Sequence, residues 1–117
     1  MHRTRTLLAA LLLATIGAQG AQAYGLSQIQ MRLPQGTNSM DRCLTFARGV
    51  MERAGLTILG TNDNSVGAEP QDASTLATIF CVIEGGAAII SVAGENTAAT
   101  DPVAIRLRDS WQPRGGK

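Results

Sequence analysis

The segment TLATIFCVIEGGAAIISVAG at residues 75–94 constrains the fold of this chain most, because it is apolar along nearly its whole length. A membrane-spanning helix would place the Glu84 carboxylate near the bilayer centre, with Gly85-Gly86 beside it, which is unfavourable. A Gly-Gly pair between two runs rich in β-branched residues predicts a β-hairpin with a two-residue turn. The segment is therefore expected to form two antiparallel strands.

Side chains alternate along a strand, so this hairpin has two different faces. Pairing across the turn sets Glu84 opposite Ala87 and, further along, Ile79 opposite Val92. One face is then wholly apolar and consists of Ile79, Cys81, Ile83, Ala88, Ile90 and Val92. The other face is mixed and consists of Thr78, Phe80, Val82, Glu84, Ile89, Ser91 and Ala93.

Helices are expected to cover the apolar face, which leaves Phe80, Val82 and Ile89 partly exposed on the mixed face. An exposed apolar patch of this kind usually marks an interface. We expect these three residues to mediate a homodimer in which two sheets pack face to face. A pocket for a small apolar ligand and a contact with an unknown partner protein are the alternatives.

Residues 38–55 are predicted to contain a helix, because their apolar residues recur at the helical spacing. Asn38 or Ser39 can cap its start, and Gly55 suits a left-handed residue after its end. The apolar stripe consists of Met40, Cys43, Leu44, Ala47, Val50, Met51 and Ala54.

A second helix is predicted over residues 102–111. Asp101-Pro102 is typical of an N-cap followed by proline at the first helical position. Val103, Leu107 and Trp111 follow at four-residue spacing. A strand remains the alternative, because Val103, Ile105 and Leu107 also alternate.

Two further short strands are predicted at residues 27–33 and 56–59. Residues 61–74 are polar and rich in turn formers, which indicates a loop, and residues 95–101 form a second connection. The element order is β-α-β-β-β-α. We expect an α+β fold in which two helices cover one face of a mainly antiparallel four-stranded sheet.

Cys43 and Cys81 are the only cysteines, and both are predicted at the same helix–sheet interface. In an exported chain this placement indicates a disulfide. Two separate buried thiols are the alternative. A redox-active pair is disfavoured because there is no Cys-x-x-Cys sequence.

The first 23 residues have the three parts of a secretory signal peptide. Arg3 and Arg5 form the basic region, residues 7–16 are apolar, and Ala21-Gln22-Ala23 is a cleavage sequence. Ten apolar residues are too few to span a bilayer, although an uncleaved anchor remains the alternative. We expect cleavage after Ala23, a periplasmic or secreted protein, a single domain at 24–111 and a flexible tail at 112–117.

The composition of the mature chain excludes several classes of mechanism. The only histidine of the full sequence, His2, lies in the signal peptide, so the mature chain has none. Ser-His-Asp and Cys-His catalytic systems and histidine-containing zinc sites are therefore excluded. The mature charge is 8 − 9 = −1, because two of the ten basic residues leave with the signal. Such a balance does not favour nucleic-acid binding. No catalytic, cofactor-binding or metal-binding residues are predicted.

The oxygen-bearing side chains of the 61–74 segment do not change this expectation. They lack the spacing of a calcium-binding loop, so a solvated loop is preferred. They are Asn62, Asp63, Asn64, Glu69 and Asp72.

The layout resembles small exported bacterial proteins of unknown function that pair one helix cysteine with one strand cysteine. The resemblance rests on MDRCLTFARGVMERAGL, on ATIFCVI and on the VAGEN-like strand end, and it covers most of residues 27–111. It implies a compartment and a fold but no activity. We expect a non-enzymatic interaction or binding module. The alternatives are an enzyme or enzyme subunit that uses carboxylates or a bound cofactor, and a secreted inhibitor or toxin-like domain.

Overall fold

The computed structural model describes residues 24–111, which form a five-stranded antiparallel sheet and two α-helices. The predicted signal peptide and tail lie outside the described residues. In chain order the elements are β1 (Gly25–Arg32), α1 (Met40–Arg53), β2 (Thr57–Thr61), β3 (Ser65–Glu69), β4 (Thr75–Val82), β5 (Ala87–Gly94) and α2 (Thr97–Trp111). The strands lie in the order β1-β5-β4-β3-β2. Neither helix is long and apolar enough to cross a membrane.

The predicted α+β class is confirmed, but the predicted number of strands is wrong. Strand β3 occupies Ser65–Glu69, inside the segment that the sequence predicts as a loop. Its sequence SVGAE holds one β-branched residue, so its intrinsic strand propensity is low. It forms because β2 and β4 bond to its two edges and because Val66 and Ala68 are fully buried.

The hairpin turn is also longer than predicted. Residues Ile83–Gly85 form a short 3-10 turn, and Gly86 follows with a φ of 63°. The first strand pair is consequently Val82 with Ala87, and Phe80 lies opposite Ile89. The register differs from the predicted one by two residues. Because side chains alternate with a period of two, an even shift leaves the strand residues on their predicted faces.

Helix α1 begins and ends as predicted. The backbone N–H of Arg42 donates to Ser39 Oγ at 3.3 Å, and Gly55 has a φ of 82°. Asp41 lies in the first turn and Arg53 in the last, where each charge is favoured by the helix dipole.

Helix α2 begins five residues earlier than predicted, because Asn96 rather than Asp101 is its cap. The backbone N–H of Ala99 donates to Asn96 Oδ1 at 2.9 Å. Pro102 consequently lies inside the helix, where it cannot donate to the carbonyl of Ala98. Burial of Thr100 and of four further side chains downstream offsets this loss.

Both helices pack on the same face of the sheet. Trp111 at the end of α2 is fully buried there, and its indole N–H donates to the Arg32 carbonyl at 3.0 Å. Its ring meets Phe46 of α1 edge-on, with 4.9 Å between centroids. The Cys43 and Cys81 sulfurs lie 2.03 Å apart, at disulfide distance, on the pair that the sequence predicts. The bond joins α1 to β4, so the Cys81 side chain lies on the face of the sheet that the helices cover.

Candidate interaction surface on the open sheet face

The opposite side of the sheet is not covered by any element within residues 24–111, and we call it the open face. The pairing register assigns its members, because directly paired residues lie on the same side. From β1 to β2 they are Leu26, Gln28, Gln30 and Arg32; Ala87, Ile89, Ser91 and Ala93; Leu76, Thr78, Phe80 and Val82; Ser65, Gly67 and Glu69; and Thr57, Leu59 and Gly60.

Large apolar side chains on this face remain in contact with solvent. One group lies at the end of the sheet where Leu26, Ala93 and Leu76 form one cross-strand row. The other lies towards the opposite end, where Phe80 is paired with Ile89. The exposed fractions are 57% for Leu26, 55% for Leu59, 49% for Leu76, 38% for Phe80 and 39% for Val82.

The bulge in β2 adds Leu59 to the first group. The register of β2 against β3 shifts between Ile58 and Gly60, so the side of the sheet on which the Leu59 side chain lies does not follow from strand alternation. Leu59 lines a depression together with Gly67, Leu76 and Thr78, which places it on the open face.

Charged side chains are nearly absent from the open face. Among the strand residues of this face only Arg32, the last residue of β1, and Glu69, the last residue of β3, carry a charge, and Glu95 lies at the rim beyond the end of β5. Neither Arg32 nor Glu69 forms an ion pair with any other residue in the described range. Depletion of charge with enrichment of apolar residues distinguishes the centre of an interface from ordinary surface.

Two shallow depressions flank Leu76 on this face. One is lined by Tyr24, Leu26, Ala93 and Glu95, and the other is the Leu59 depression. Both are open to solvent, whereas a small-molecule site normally encloses most of its ligand. The shallow shape of this surface therefore favours a contact with a protein over the binding of a small apolar ligand.

The structure places Phe80, Val82 and Ile89 together on this uncovered side, with Ile89 half-buried between its neighbours. Reasoning from the sequence missed Leu26 and Leu76. The signal was present, because Leu26 has the same strand parity as Gln28 and Leu76 the same as Thr78. Leu59 could not be found, because its direction depends on the bulge.

A small polar cluster lies on the helix-covered side, where α2 begins. Ser27 Oγ lies 2.7 Å from Thr100 Oγ1 and donates to Asp101 Oδ1. Thr75 Oγ1 is buried nearby without a hydrogen-bond partner. The backbone of Gly25 lies so close to Asn96 that a Cβ there would be 2.1 Å from its carbonyl carbon. This packing seats α2 on β1.

The oxygen-bearing side chains of the 61–74 segment are dispersed by β3. Asn62 donates to Ser65 Oγ at 3.5 Å, and Glu69 lies at the far end of the strand. Asp72 lies in the β3–β4 turn, where bonds from the Ser74 hydroxyl and the Ser74 backbone N–H lower the pKa of its exposed carboxyl below the usual value. Within residues 24–111 no group of three or more potential ligands is close enough to hold a metal ion.

Comparison with known proteins gives no relative: no family model, no curated protein and no solved structure matches this chain.

Proposed function

We propose that this protein is an exported, disulfide-stabilised interaction module that binds another protein through its open face and catalyses no reaction. The observation that carries the proposal is the composition of that face. Its exposed side chains are mainly apolar or small, and the two charged strand residues lie at opposite ends of the strands, three strands apart.

The open face has the area that a small specific protein contact requires. Three of the five strands have eight residues and two have five, so at ordinary strand spacings the face presents roughly 500 Å². Two such faces in contact bury about 1,000 Å² in total, near the smallest area expected of a specific protein interface. The apolar groups around Leu76 and Phe80 would supply most of the stabilisation, as central apolar anchors do in other interfaces.

The compartment agrees with this function. The proposed signal peptide directs the chain to the periplasm or the exterior, where disulfides persist. A disulfide between α1 and β4 fixes the helix layer, so the open face can offer a rigid surface that needs little ordering on binding.

The test compares two aspartate substitutions in protein recovered after export of the full chain. Phe80→Asp places a charge on the open face. Ile105→Asp is the matched control, because Ile105 is an apolar residue of similar exposure on α2, in the helix layer. Both variants should keep the far-ultraviolet circular dichroism of the wild type.

Binding is measured by interferometry on immobilised protein, with the wild-type protein and then a fractionated exported-protein extract as analytes. Wild type and Ile105→Asp should retain the binding signal, and Phe80→Asp should lose it. Equal signals from wild type and Phe80→Asp with both analytes would refute the proposed function.

A further inference from the structure

The two charges on the open face have a geometry that identifies its partner. Arg32 is level with Ala87 on β5, and therefore with Val82 on β4. Glu69 lies one residue beyond the Ala68–Ala77 pair, level with Leu76. Three strand spacings and six residues of strand length separate them, so they are roughly 25 Å apart along a diagonal of the face.

The strands of the open face carry one charge of each sign, and neither has an ion-pair partner within the described residues, so the face is complementary to itself. In a two-fold symmetric dimer, every contact between the copies occurs twice. If Arg32 of the first copy contacts Glu69 of the second, then Arg32 of the second copy also contacts Glu69 of the first. Two ion pairs then form at the rim, and no charge is left facing an apolar side chain. A second copy therefore supplies an oppositely charged partner for both Arg32 and Glu69.

We propose that the open face is a homodimer interface in which Arg32 pairs with Glu69 of the second copy at two symmetric positions. This inference rests on the proposed function and names the partner of the same surface. It also fixes the orientation, because the two-fold axis must run between the sheets, perpendicular to the Arg32–Glu69 diagonal.

This axis places an aromatic residue at the centre of the interface. The midpoint of the diagonal lies between β4 and β5, where Thr78, Phe80, Ile89 and Ser91 surround it. On ideal strand spacings, the backbone position of Phe80 lies about 2 Å from the two-fold axis. The Phe80 side chain therefore packs against Phe80 of the second copy, a contact that adds to the burial of apolar area.

The same geometry rejects the aligned arrangement in which the two-fold axis is perpendicular to the strands. With the axis perpendicular to the strands, Arg32 would face Leu26 of the second copy, which leaves a guanidinium against an apolar side chain. Pairing Arg32 with Glu69 instead requires the strands of the two sheets to cross at roughly 70°, nearer to the orthogonal class of sheet packing.

The experiment is charge reversal followed by mixing. Arg32→Glu and Glu69→Arg each create two like-charge contacts in their own homodimer, but the mixture can form a heterodimer with two opposite-charge contacts. Arg42→Glu, an exposed reversal on α1, is the matched control. Sedimentation equilibrium of the exported protein gives each dissociation constant.

We expect a wild-type dimer with a dissociation constant in the micromolar range, as an interface of about this minimum size allows. Each single reversal should weaken it at least about tenfold. The equimolar mixture and the Arg32→Glu/Glu69→Arg double variant should return to within about threefold of wild type, and Arg42→Glu should not differ from it. Thermal melts of dilute protein should be unchanged, because neither side chain has an ion pair within the described chain.

A mixture that dimerises no better than its components would overturn this docking arrangement. A monomeric wild type at several hundred micromolar would overturn it as well. The proposed function would survive either result if Phe80→Asp still abolished binding to a protein of the exported extract. Both proposals would fall together only if Phe80→Asp changed nothing with either analyte.

Discussion

The disulfide between α1 and β4 should decide whether the domain is stable at ordinary temperatures. The perturbation is the double substitution Cys43→Ala/Cys81→Ala, compared with reduction of the wild-type protein. The bond closes a loop with a sequence separation of 38 residues. The chain-entropy expression for a loop of that length gives about 4 kcal/mol of stabilisation at 25 °C, through restriction of the unfolded chain.

That contribution is large for a domain of this size. Small domains have a net stability of roughly 5–15 kcal/mol. The unfolding entropy of a domain of about 90 residues converts 4 kcal/mol into a fall in melting temperature of roughly 20 °C. The alanine variant should lose slightly more, because both sulfur atoms are buried and their removal leaves space in the core.

Circular dichroism melts and urea titrations measure the effect. Reducing agent should lower the melting temperature of the wild type and leave that of the double variant unchanged, which controls for non-specific effects of the reagent. Thiol titration of the unfolded, unreduced wild type should find no free thiol. Two titratable thiols, or a melting temperature of the double variant within a few degrees of wild type, would refute the reasoning.

Three further predictions test other parts of the structure. Ile79→Asp should prevent folding, because Ile79 is fully buried under the helices, whereas Phe80→Asp one residue further should give a folded protein in circular dichroism; an unfolded Phe80 variant and a folded Ile79 variant would reverse the assignment of the faces. Gly25→Ala should destabilise the domain by at least about 2 kcal/mol in urea titrations, because its Cβ would overlap the backbone at the start of α2. Gly60→Ala meets nothing within 4 Å and should be near neutral, so equal effects would show that the close approach of α2 is wrong. Ala73→Gly should stabilise the domain by about 0.5–1 kcal/mol, because Ala73 has a φ of 53° that favours glycine; a loss of stability would mean that unfolded-chain entropy outweighs the strain.

The hairpin shows how far local pattern can be extended into tertiary structure. The predicted turn has the wrong length, yet the division of the strands into a helix-covered and an open side agrees with the structure. The reason is the two-residue period of a strand, since any even register error preserves the faces. The pairing of Cys43 with Cys81 follows from the same division, because it requires only that the helical stripe and the apolar strand face meet.

Strand β3 and the start of α2 show where local pattern fails. Ser65–Glu69 reads as a loop because its residues have low strand propensity, and only its two neighbouring strands supply the backbone bonds that make it a strand. Asp101-Pro102 is a strong local start signal, but Asn96 caps the helix one turn earlier because α2 must begin where it can pack on Gly25. In both cases long-range packing outweighs a local preference of about 1 kcal/mol.

The sequence by itself determined the α+β class, the first helix with its Ser39 cap, the partnership of the two cysteines and the candidate surface around Phe80. Each of these depends on residue spacing within one element, or on one apolar face having to meet another. Only the tertiary structure decided that the sheet has five strands, that Leu26, Leu59 and Leu76 share the open face with Phe80, and that Arg32 and Glu69 lie at opposite ends of its strands, three strands apart. Those facts depend on strand order and register, which are set by backbone hydrogen bonds between distant segments and leave no periodic trace in the sequence.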